Sequence, residues 1–323
     1  GALLTGDLFN LFVFCEILLM ASYVLLLHGQ GRPRFQLGIH YVTINLVASA
    51  LFLIGLGMIY GSVGSLNMTD VARLVPTLDN DQHKLAIAGG LLLFVVFGIK
   101  AAMLPVGFWL PKTYAVASTP VAAIFTLMTK VGIYAILRVN GTVFDDAFAH
   151  EILKSSLLVI GLITSIYGVI GAIAAERLRR FVGFMVLSSV GTLLVAIAMM
   201  NTLAWAAALY YLIHSTLIAP RIKQQKTAAL TYFIIALMMA GLPPFSGFFG
   251  KVFILQATAG TAYQAWIIAI ILIVSLLSIL AFTRVGFILF WRASPPEDDP
   301  NQTAYRTYEA LPDRAPKRND IAI

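Results

Sequence analysis

Nine apolar segments make up most of this chain, and all but the slightly short 203–219 are long enough to cross a lipid bilayer. A membrane-spanning helix needs about 20 predominantly apolar residues. Such runs lie at 3–27, 37–60, 85–117, 120–138, 152–174, 181–200, 203–219, 227–259 and 265–291. Of the 323 residues, 59% are hydrophobic and only 11% are charged, whereas soluble domains carry roughly 25% charged residues. The sequence therefore predicts an all-α membrane protein, a polytopic bundle of about nine transmembrane helices in contact with lipid.

Two of these segments, 85–117 and 227–259, are too long for one straight helix and contain helix-breaking residues. These residues are Pro105, Gly241, Pro243, Pro244 and Gly247. Backbone groups freed by a break are tolerated in a membrane only where they are buried in protein or line a wet cavity. Two interrupted helices in separate parts of a chain are typical of transporters. The stretches LPVGFWLPK (104–112) and LPPFSGFFGK (242–251) are also similar to each other, which suggests an internal repeat.

Five ionisable residues lie inside the apolar segments, where charge is costly. They are Glu16, Lys100, Lys130, His214 and Lys251. A charged side chain at the bilayer centre costs about 3 kcal/mol on insertion scales, and such residues usually mark ion pathways. Simpler interpretations exist for single members: a structural Glu–Lys pair, an ordinary core histidine, or a Lys251 that snorkels to the membrane surface. Pairing alone would leave two of the three lysines without a partner.

The chemistry of this set favours proton transfer. Burial and a neighbouring carboxylate act in opposite directions on the protonation of a lysine, so a lysine that gains or loses its carboxylate partner can take up or release a proton. A row of Lys and His groups at mid-depth, bridged by water, would be a horizontal proton route. The sequence has no Walker loop, dinucleotide motif, Ser-His-Asp spacing or Cys/His metal cluster, and Cys15 is its single cysteine. We therefore expect a transporter subunit without cofactor or metal, and not an enzyme.

The loops predict the orientation of the helices. Basic residues gather in alternate connections, which hold Arg32, Arg34, Lys112, Arg177, Arg179, Arg180, Arg221, Lys223, Lys226 and Arg292. The positive-inside rule places these loops in the cytoplasm and the loop containing Asp145 outside. The net charge of +7 does not indicate nucleic-acid binding, since the basic residues are scattered at helix ends. Residues 1–292 are expected to form the transmembrane domain, and the polar segment 293–323 is expected to be a disordered cytoplasmic tail.

Several of these segments resemble a known transporter family. TGDLFNLFVFCEILLMASYVLLLHG, FGIKAAMLPVGFWLPKTYAVASTPVAAIFTLMTKVGIYAILR, YYLIHSTL and AGLPPFSGFFGK are similar to the D subunit of Mrp-type multisubunit sodium/proton antiporters. That family is similar in turn to the proton-pumping membrane subunits of respiratory complex I. The resemblance covers about residues 1–292 and is most specific in the first 140. It implies two inverted five-helix repeats around a polar axis.

The resemblance also implies a role for each buried ionisable residue. Glu16 matches the family's glutamate on the fifth helix, and Lys100 matches its partner lysine on the broken seventh helix. Lys130 matches the lysine of the eighth helix, His214 the histidine of the eleventh, and Lys251 the lysine of the broken twelfth. The expected function is proton translocation in a bacterial inner-membrane antiporter that exchanges Na⁺ or K⁺ for H⁺ together with other membrane subunits. The alternatives are a proton-pumping subunit of NADH–quinone oxidoreductase or a membrane-bound hydrogenase, and a purely structural scaffold.

The chain also departs from the pattern of this family. Family members have about four further helices before the position of Gly1 and usually one after Trp291. After HSTL their helix continues, whereas here the polar stretch IAPRIKQQKT follows almost at once. We therefore expect a truncated bundle that begins inside a longer protein, lacks an internal piece, and needs missing segments and neighbouring subunits for activity.

Overall fold

The computed structural model describes residues 1–28, 32–141, 143, 147–218 and 228–290. Within them the chain forms helices and no β-strand, apart from one isolated bridge between Asp7 and Asn67. The helices are α1 (Leu8–Leu27), α2 (Arg32–Val63), α3 (Met68–Leu74), α4 (Asn80–Ala101), α5 (Trp109–Val116), α6 (Thr119–Ala135), α7 (Ala147–Ala174), α8 (Leu178–Ala198), α9 (Thr202–Ile218), α10 (Ala228–Ala240), α11 (Ser246–Ala257) and α12 (Gln264–Phe290). The predicted all-α class is confirmed.

Seven helical segments are long and apolar enough to cross a membrane by length and composition. They are Leu8–Leu27, Phe35–Val63, Asn80–Val116, Val121–Val139, Leu153–Ala174, Leu178–Ala198 and Gln264–Ile288. The two other predicted segments are helical but shorter. The segment 203–219 corresponds to α9, of 17 residues, and 227–259 is divided into α10 and α11, of 13 and 12 residues. The chain is therefore a multi-pass membrane protein, as its composition predicted.

The first predicted break separates α4 from α5. Ala102 adopts a left-handed conformation, with φ of 61°. The Met103 N–H donates to the Gly98 carbonyl at 2.9 Å, and the Ala102 N–H donates to the Ile99 carbonyl at 3.1 Å. This hydrogen-bond pattern is the Schellman ending of an α-helix. A short 3₁₀ turn, Val106–Phe108, then leads directly into α5.

The second predicted break separates α10 from α11 and has a similar backbone. Gly241 has a φ of 81°, a conformation that glycine adopts without steric cost. The Leu242 N–H donates to the Leu237 carbonyl at 3.1 Å, five residues back, as Met103 does in the first break. A Cβ atom at Gly247 would collide with the Met238 carbonyl oxygen. The glycines therefore let the two half-helices approach each other closely, and the predicted interruptions of both helices are confirmed.

The helix α8 lies at the centre of the bundle. Its residues are buried almost without interruption from Gly183 to Ala198. It packs most extensively against α7, where Gly161 and Gly191 allow close contact between the backbones. Because α8 also packs against α5, α6 and α9, its side chains reach both broken-helix regions. The predicted tail at 293–323 and the loop position Asp145 lie outside the described residues.

Candidate functional site

Glu16 and Lys100 form an ion pair between α1 and α4. The Lys100 Nζ atom lies 3.5 Å from Glu16 Oε1, and the exposed fractions of the Lys100 and Glu16 side chains are 6% and 25%. Ser49 of α2 donates a 2.5 Å hydrogen bond to the same carboxylate oxygen. A charge-assisted hydrogen bond and a cationic partner both stabilise the ionised carboxylate. The structure thus brings together the pair that the sequence resemblance implied.

The break beside Lys100 is held by uncharged side chains. The indole N–H of Trp109 donates to the Ile99 carbonyl at 3.1 Å. The Leu104 N–H donates to Thr164 Oγ1 at 3.1 Å. These two contacts satisfy backbone groups that the interruption of the helix frees. Lys100 lies in the last turn of α4, where the negative end of the helix dipole favours a cation.

Lys130 is buried in the middle of α6. Its side chain is 1% exposed, and its Nζ atom donates to Ser189 Oγ of α8 at 2.8 Å. Ser189 in turn donates to the Val186 carbonyl at 2.7 Å. The neighbouring residue Gly132 packs against the backbone of Lys100 and Ala101. The close approach of α6 to α4 therefore places the Lys130 segment next to the Glu16–Lys100 pair.

His214 of α9 lies beside the two halves of the second broken helix. Its Nδ1 atom lies 2.8 Å from Ser246 Oγ at the start of α11. The ring Nε2 atom and the Met238 carbonyl oxygen both lie close to the position that a Cβ atom at Gly247 would occupy, so the ring faces the last turns of α10. A histidine ring is charged when both nitrogens carry protons and neutral when one does. A change in its protonation would therefore act directly on the hydrogen bond to Ser246 at the start of α11.

Lys251 of α11 is directed into the protein. Its Nζ atom donates to the Ala240 carbonyl at 2.7 Å and to Ser275 Oγ of α12 at 2.9 Å. The ammonium group therefore lies at the carboxyl end of α10, where the helix dipole favours a positive charge. Because Lys251 is buried and bonded within the bundle, the interpretation that it snorkels to the membrane surface is disfavoured.

A small cavity lies between Ser189, His214 and Lys251. Its volume is about 10 Å³, roughly the room that one water molecule requires. Its polar lining consists of Ser188, Ser189, Thr192, Tyr211, His214, Ser215, Lys251 and Ser278. Ser189 is the acceptor for Lys130, so the cavity joins the partner of Lys130 to His214 and Lys251. A water bound there would be within reach of Ser189, His214 and Lys251.

The chain that carries this arrangement also matches a known protein family. Residues 5–220 match the family model described as NADH:quinone oxidoreductase/Mrp antiporter, transmembrane. The match covers more than half of the chain and includes Glu16, Lys100, Lys130 and His214. The chain belongs to this family. Lys251 lies beyond the part that the family model matches.

Two curated relatives extend the likeness over most of the chain. One is the D subunit of a probable K⁺/H⁺ antiporter of Rhizobium meliloti (strain 1021), 37% identical over 349 positions, with 90% of this chain and 64% of the relative covered. The other is the D subunit of a Na⁺/H⁺ antiporter of Bacillus subtilis (strain 168), 36% identical, with 96% of this chain and 66% of the relative covered. The chain thus spans slightly less than two thirds of the length of these relatives. The 349 aligned positions exceed the 323 residues here, so the first relative has positions with no counterpart in this chain.

A solved structure supports the same fold. The chain is similar to one in the structure of the Mrp complex from Dietzia sp. DQ12-45-1b, with a TM-score of 0.80 and 30% identity. The likeness covers 90% of this chain and 58% of that one. The predicted resemblance to the D subunits of Mrp antiporters is therefore confirmed, and the bundle has the architecture of antiporter-like membrane subunits of this family.

Small polar residues hydrogen-bond the charged groups of this family member. These small residues were not predicted from the sequence. They are Ser49 beside Glu16, Ser189 beside Lys130, Ser246 beside His214, Ser275 beside Lys251, and Thr164 at the first break. Serine and threonine inside membrane helices commonly hydrogen-bond across helices. The cluster LSSVGT (187–192) in an otherwise apolar helix was the available signal.

The polar groups that converge in this family member are not arranged as a metal site. Among the described residues, no three His, Cys, Asp or Glu side chains come together in a group that could hold a metal ion. Cys15 is a free thiol buried within the apolar core. The polar side chains that converge around the cavity are hydroxyls, one ammonium group and one imidazole, and these donate and accept hydrogen bonds.

Proposed function

We propose that this chain is the proton-translocating part of the D subunit of a multisubunit monovalent cation/proton antiporter in the bacterial cell membrane. The exchanged cation is Na⁺ or K⁺, as in the names of the two curated relatives. The chain works as a non-enzymatic subunit, without a cofactor, beside other membrane subunits. The match to a chain of the Mrp complex supports such an assembly.

One observation carries the proposal. Lys130, His214 and Lys251 are buried within an apolar bundle, and a water-sized cavity connects the hydrogen-bond partner of Lys130 with the other two. Charge inside a membrane is costly, so these buried lysines lower the stability of the protein. Proton exchange along this row of groups, through a water molecule, explains why the chain carries such costly residues.

The residues have different roles in this proposal. Glu16 controls the charge of Lys100 through the ion pair, and a change in their separation shifts a proton onto or off the lysine. Lys130 passes protons through Ser189 to the cavity. His214 and Lys251 receive them beside the second break, where protonation acts on the bonds to Ser246 and Ala240. The two helix breaks provide the backbone carbonyls to which these groups bond and the space that the groups occupy. The residues that form the breaks are Pro105 in the first and Gly241, Pro243, Pro244 and Gly247 in the second.

The test uses the assembled antiporter in everted membrane vesicles. Respiration acidifies the vesicle interior, and a pH-sensitive dye reports proton release when Na⁺ or K⁺ is added. The proposal expects a cation-dependent recovery of dye fluorescence with the complex and none in vesicles from cells that lack it. Vesicles with the assembled complex that show no response to either cation would contradict it.

The second candidate is a proton-pumping subunit of a redox-driven complex. The matched family includes NADH:quinone oxidoreductase as well as Mrp antiporters. The same buried groups would serve both machines, since each moves protons through the membrane. Copurification separates the two candidates: an antiporter brings further small membrane subunits, whereas a redox complex brings subunits with iron–sulfur, flavin or nickel centres.

A further inference from the structure

The hydroxyl of Ser49 on α2 has two hydrogen-bond acceptors within reach, and one of them belongs to the ion pair. Its Oγ atom lies 2.5 Å from Glu16 Oε1 and 2.9 Å from the backbone carbonyl oxygen of Asn45, one helical turn earlier. A serine hydroxyl has a single proton to donate and two lone pairs with which to accept. Ser49 can therefore form a full hydrogen bond to the carboxylate or to the carbonyl, but not to both at once.

The carboxylate oxygen beside Ser49 is the same oxygen that faces Lys100. The Lys100 Nζ atom lies 3.5 Å from Glu16 Oε1, so this oxygen has the lysine on one side and the serine on the other. Ser49 is 9% exposed and Asn45 is fully buried. A polar group left without a partner in such surroundings is destabilising, so each protonation state of the pair needs its own set of hydrogen bonds.

Ser49 can provide a partner for both protonation states of Glu16. When Glu16 is ionised, the Ser49 proton is donated to the carboxylate, since charge-assisted hydrogen bonds are about twice as strong as neutral ones. When Glu16 is protonated, its carboxyl group becomes a donor, and the Ser49 oxygen accepts that proton. The proton of Ser49 itself then turns to the Asn45 carbonyl, which is already at hydrogen-bond distance. The change requires only the rotation of one hydroxyl hydrogen.

Another buried serine on the same helix shows what distinguishes Ser49. Ser62 is 7% exposed, and its Oγ atom lies 3.0 Å from the carbonyl oxygens of Met58 and Ile59. A carbonyl oxygen accepts hydrogen bonds and never donates them, so both of these contacts require Ser62 to be the donor. Ser49 differs because one of its two partners, the Glu16 carboxyl group, can change from acceptor to donor.

We propose that Ser49 is a switching hydroxyl that lets Glu16 take up a proton from Lys100 and return it. The proposal rests on the proposed antiporter function and assigns a proton-accepting role to Glu16 within it. In the step, an Nζ–H bond of Lys100 breaks and an O–H bond forms at Glu16 Oε1, so the ion pair becomes a neutral pair. The new O–H group donates to Ser49, and Ser49 donates to the Asn45 carbonyl. Ser49 acts through Glu16 and is therefore a positioning residue.

The first experiment compares variants of the two serines of α2 in everted vesicles with matched amounts of assembled complex. Ser49→Ala removes the switching hydroxyl and should slow cation-dependent proton exchange by about tenfold, the lower end of what a hydrogen bond to a charged group contributes. Ser49→Thr retains a hydroxyl and should restore exchange to within about twofold of the unaltered rate. Ser62→Ala is the matched control and should exchange protons at the unaltered rate. Unaltered exchange in Ser49→Ala, or an equal loss in Ser62→Ala, would overturn the switch.

A second measurement separates the switch from simple support of an ionised Glu16. Infrared difference spectra of the purified complex between high and low pH report protonated carboxyl groups by their C=O stretching band. The component that is absent in Glu16→Gln belongs to Glu16. We expect this component in the unaltered complex and a shift of its frequency in Ser49→Ala, because the carboxyl O–H loses its acceptor.

The infrared result tests the switch independently of transport. A complex without a Glu16 component, or with the same frequency in Ser49→Ala, would overturn the switch alone. An unaltered complex without cation-dependent exchange in the vesicles would overturn the proposed function, whatever the infrared spectra show.

Discussion

The break at Ala102 and the break at Gly241 have similar backbones but different neighbours. In both, a residue of positive φ ends the helix and the next N–H bonds a carbonyl five residues back. Around the first, Trp109 and Thr164 satisfy the freed backbone groups, and neither changes its charge. Around the second, Lys251 donates to the Ala240 carbonyl of α10 and His214 bonds the Ser246 hydroxyl of α11, and both are titratable.

This difference indicates that the two breaks respond to a proton in different ways. At the first break the backbone is fixed by neutral groups, and the lysine responds to a carboxylate on another helix, 3.5 Å away. At the second break one proton-carrying group, Lys251, itself bonds the backbone, and the other, His214, bonds a side chain at the start of α11. A proton that arrives at the second break is therefore expected to alter the geometry of the half-helices, whereas a proton at the first alters mainly the Glu16–Lys100 pair.

The largest effect is expected at Lys100. Lys100→Ala removes the cation of the ion pair and should abolish cation-dependent proton exchange in everted vesicles, with the amount of assembled complex largely unchanged. Lys84→Ala is the control, since Lys84 lies on the same helix with a side chain 67% exposed and should retain full exchange. A Lys100→Ala variant that loses assembly but exchanges protons normally per complex would support the scaffold interpretation instead.

The next effect is expected at Lys251. Lys251→Ala removes a proton carrier together with a donor to the Ala240 carbonyl, and should slow exchange by about tenfold or more. Lys112 occupies the corresponding place in the repeated stretch LPVGFWLPK, but it is exposed. Lys112→Ala should therefore leave the rate in the same vesicle assay unchanged. Equal losses in the two variants would remove the distinction between buried and exposed lysines.

An intermediate effect is expected at His214. Glutamine can bond one half of the broken helix but cannot carry a proton as imidazolium. His214→Gln should lower exchange several-fold and flatten its dependence on pH, measured as initial rates across a pH series. His83→Gln is a control on α4, where the ring lies 3.0 Å from the Val75 carbonyl at the bundle surface. A His214→Gln profile parallel to that of the unaltered complex would exclude a titrating role for this ring.

The smallest effect on transport is expected at Trp109. Trp109→Phe removes the indole donor to Ile99, whose carbonyl keeps its bond from the Ala102 N–H. The cost in unfolding free energy should be about 1 kcal/mol, seen as a lower melting temperature of the solubilised complex. Proton exchange should fall by less than about twofold, since no proton carrier is lost. A loss as large as that of Lys251→Ala would mean that the first break also takes part in proton transfer.

The elements that could be predicted from the sequence are those whose signals are local. Spanning segments follow from runs of apolar residues, and seven of the nine predicted ones are long enough to cross a membrane in the described residues. The breaks follow from Pro105, Gly241 and their neighbours, and both are present. The repeated stretches also share the backbone of the breaks. The similarity of the stretches does not extend to their lysines, because Lys112 is exposed, as its place among the basic loop residues predicted, and Lys251 is buried. Burial of a side chain depends on which distant helix packs against it.

The partners of the charged groups could not be predicted for the same reason. Ser49 lies 33 residues from Glu16, and Ser189 lies 59 residues from Lys130. Many serines and threonines occupy the apolar segments, and only the packing of the helices decides which of them meet a lysine or a carboxylate. The ionisable residues themselves stood out because each is costly in an apolar segment.

The central claim is that protons move along the buried groups, and Glu16 gives its most direct test. The purified complex is reconstituted in liposomes that contain a pH-sensitive dye, and a Na⁺ or K⁺ gradient is imposed. Glu16→Gln preserves the shape of the side chain but removes its charge, whereas Asp70→Asn makes the same change in a more exposed carboxylate paired with Arg73. The account predicts cation-driven proton movement in the unaltered complex and in Asp70→Asn, and none in Glu16→Gln. Proton movement in Glu16→Gln at the unaltered rate would contradict it.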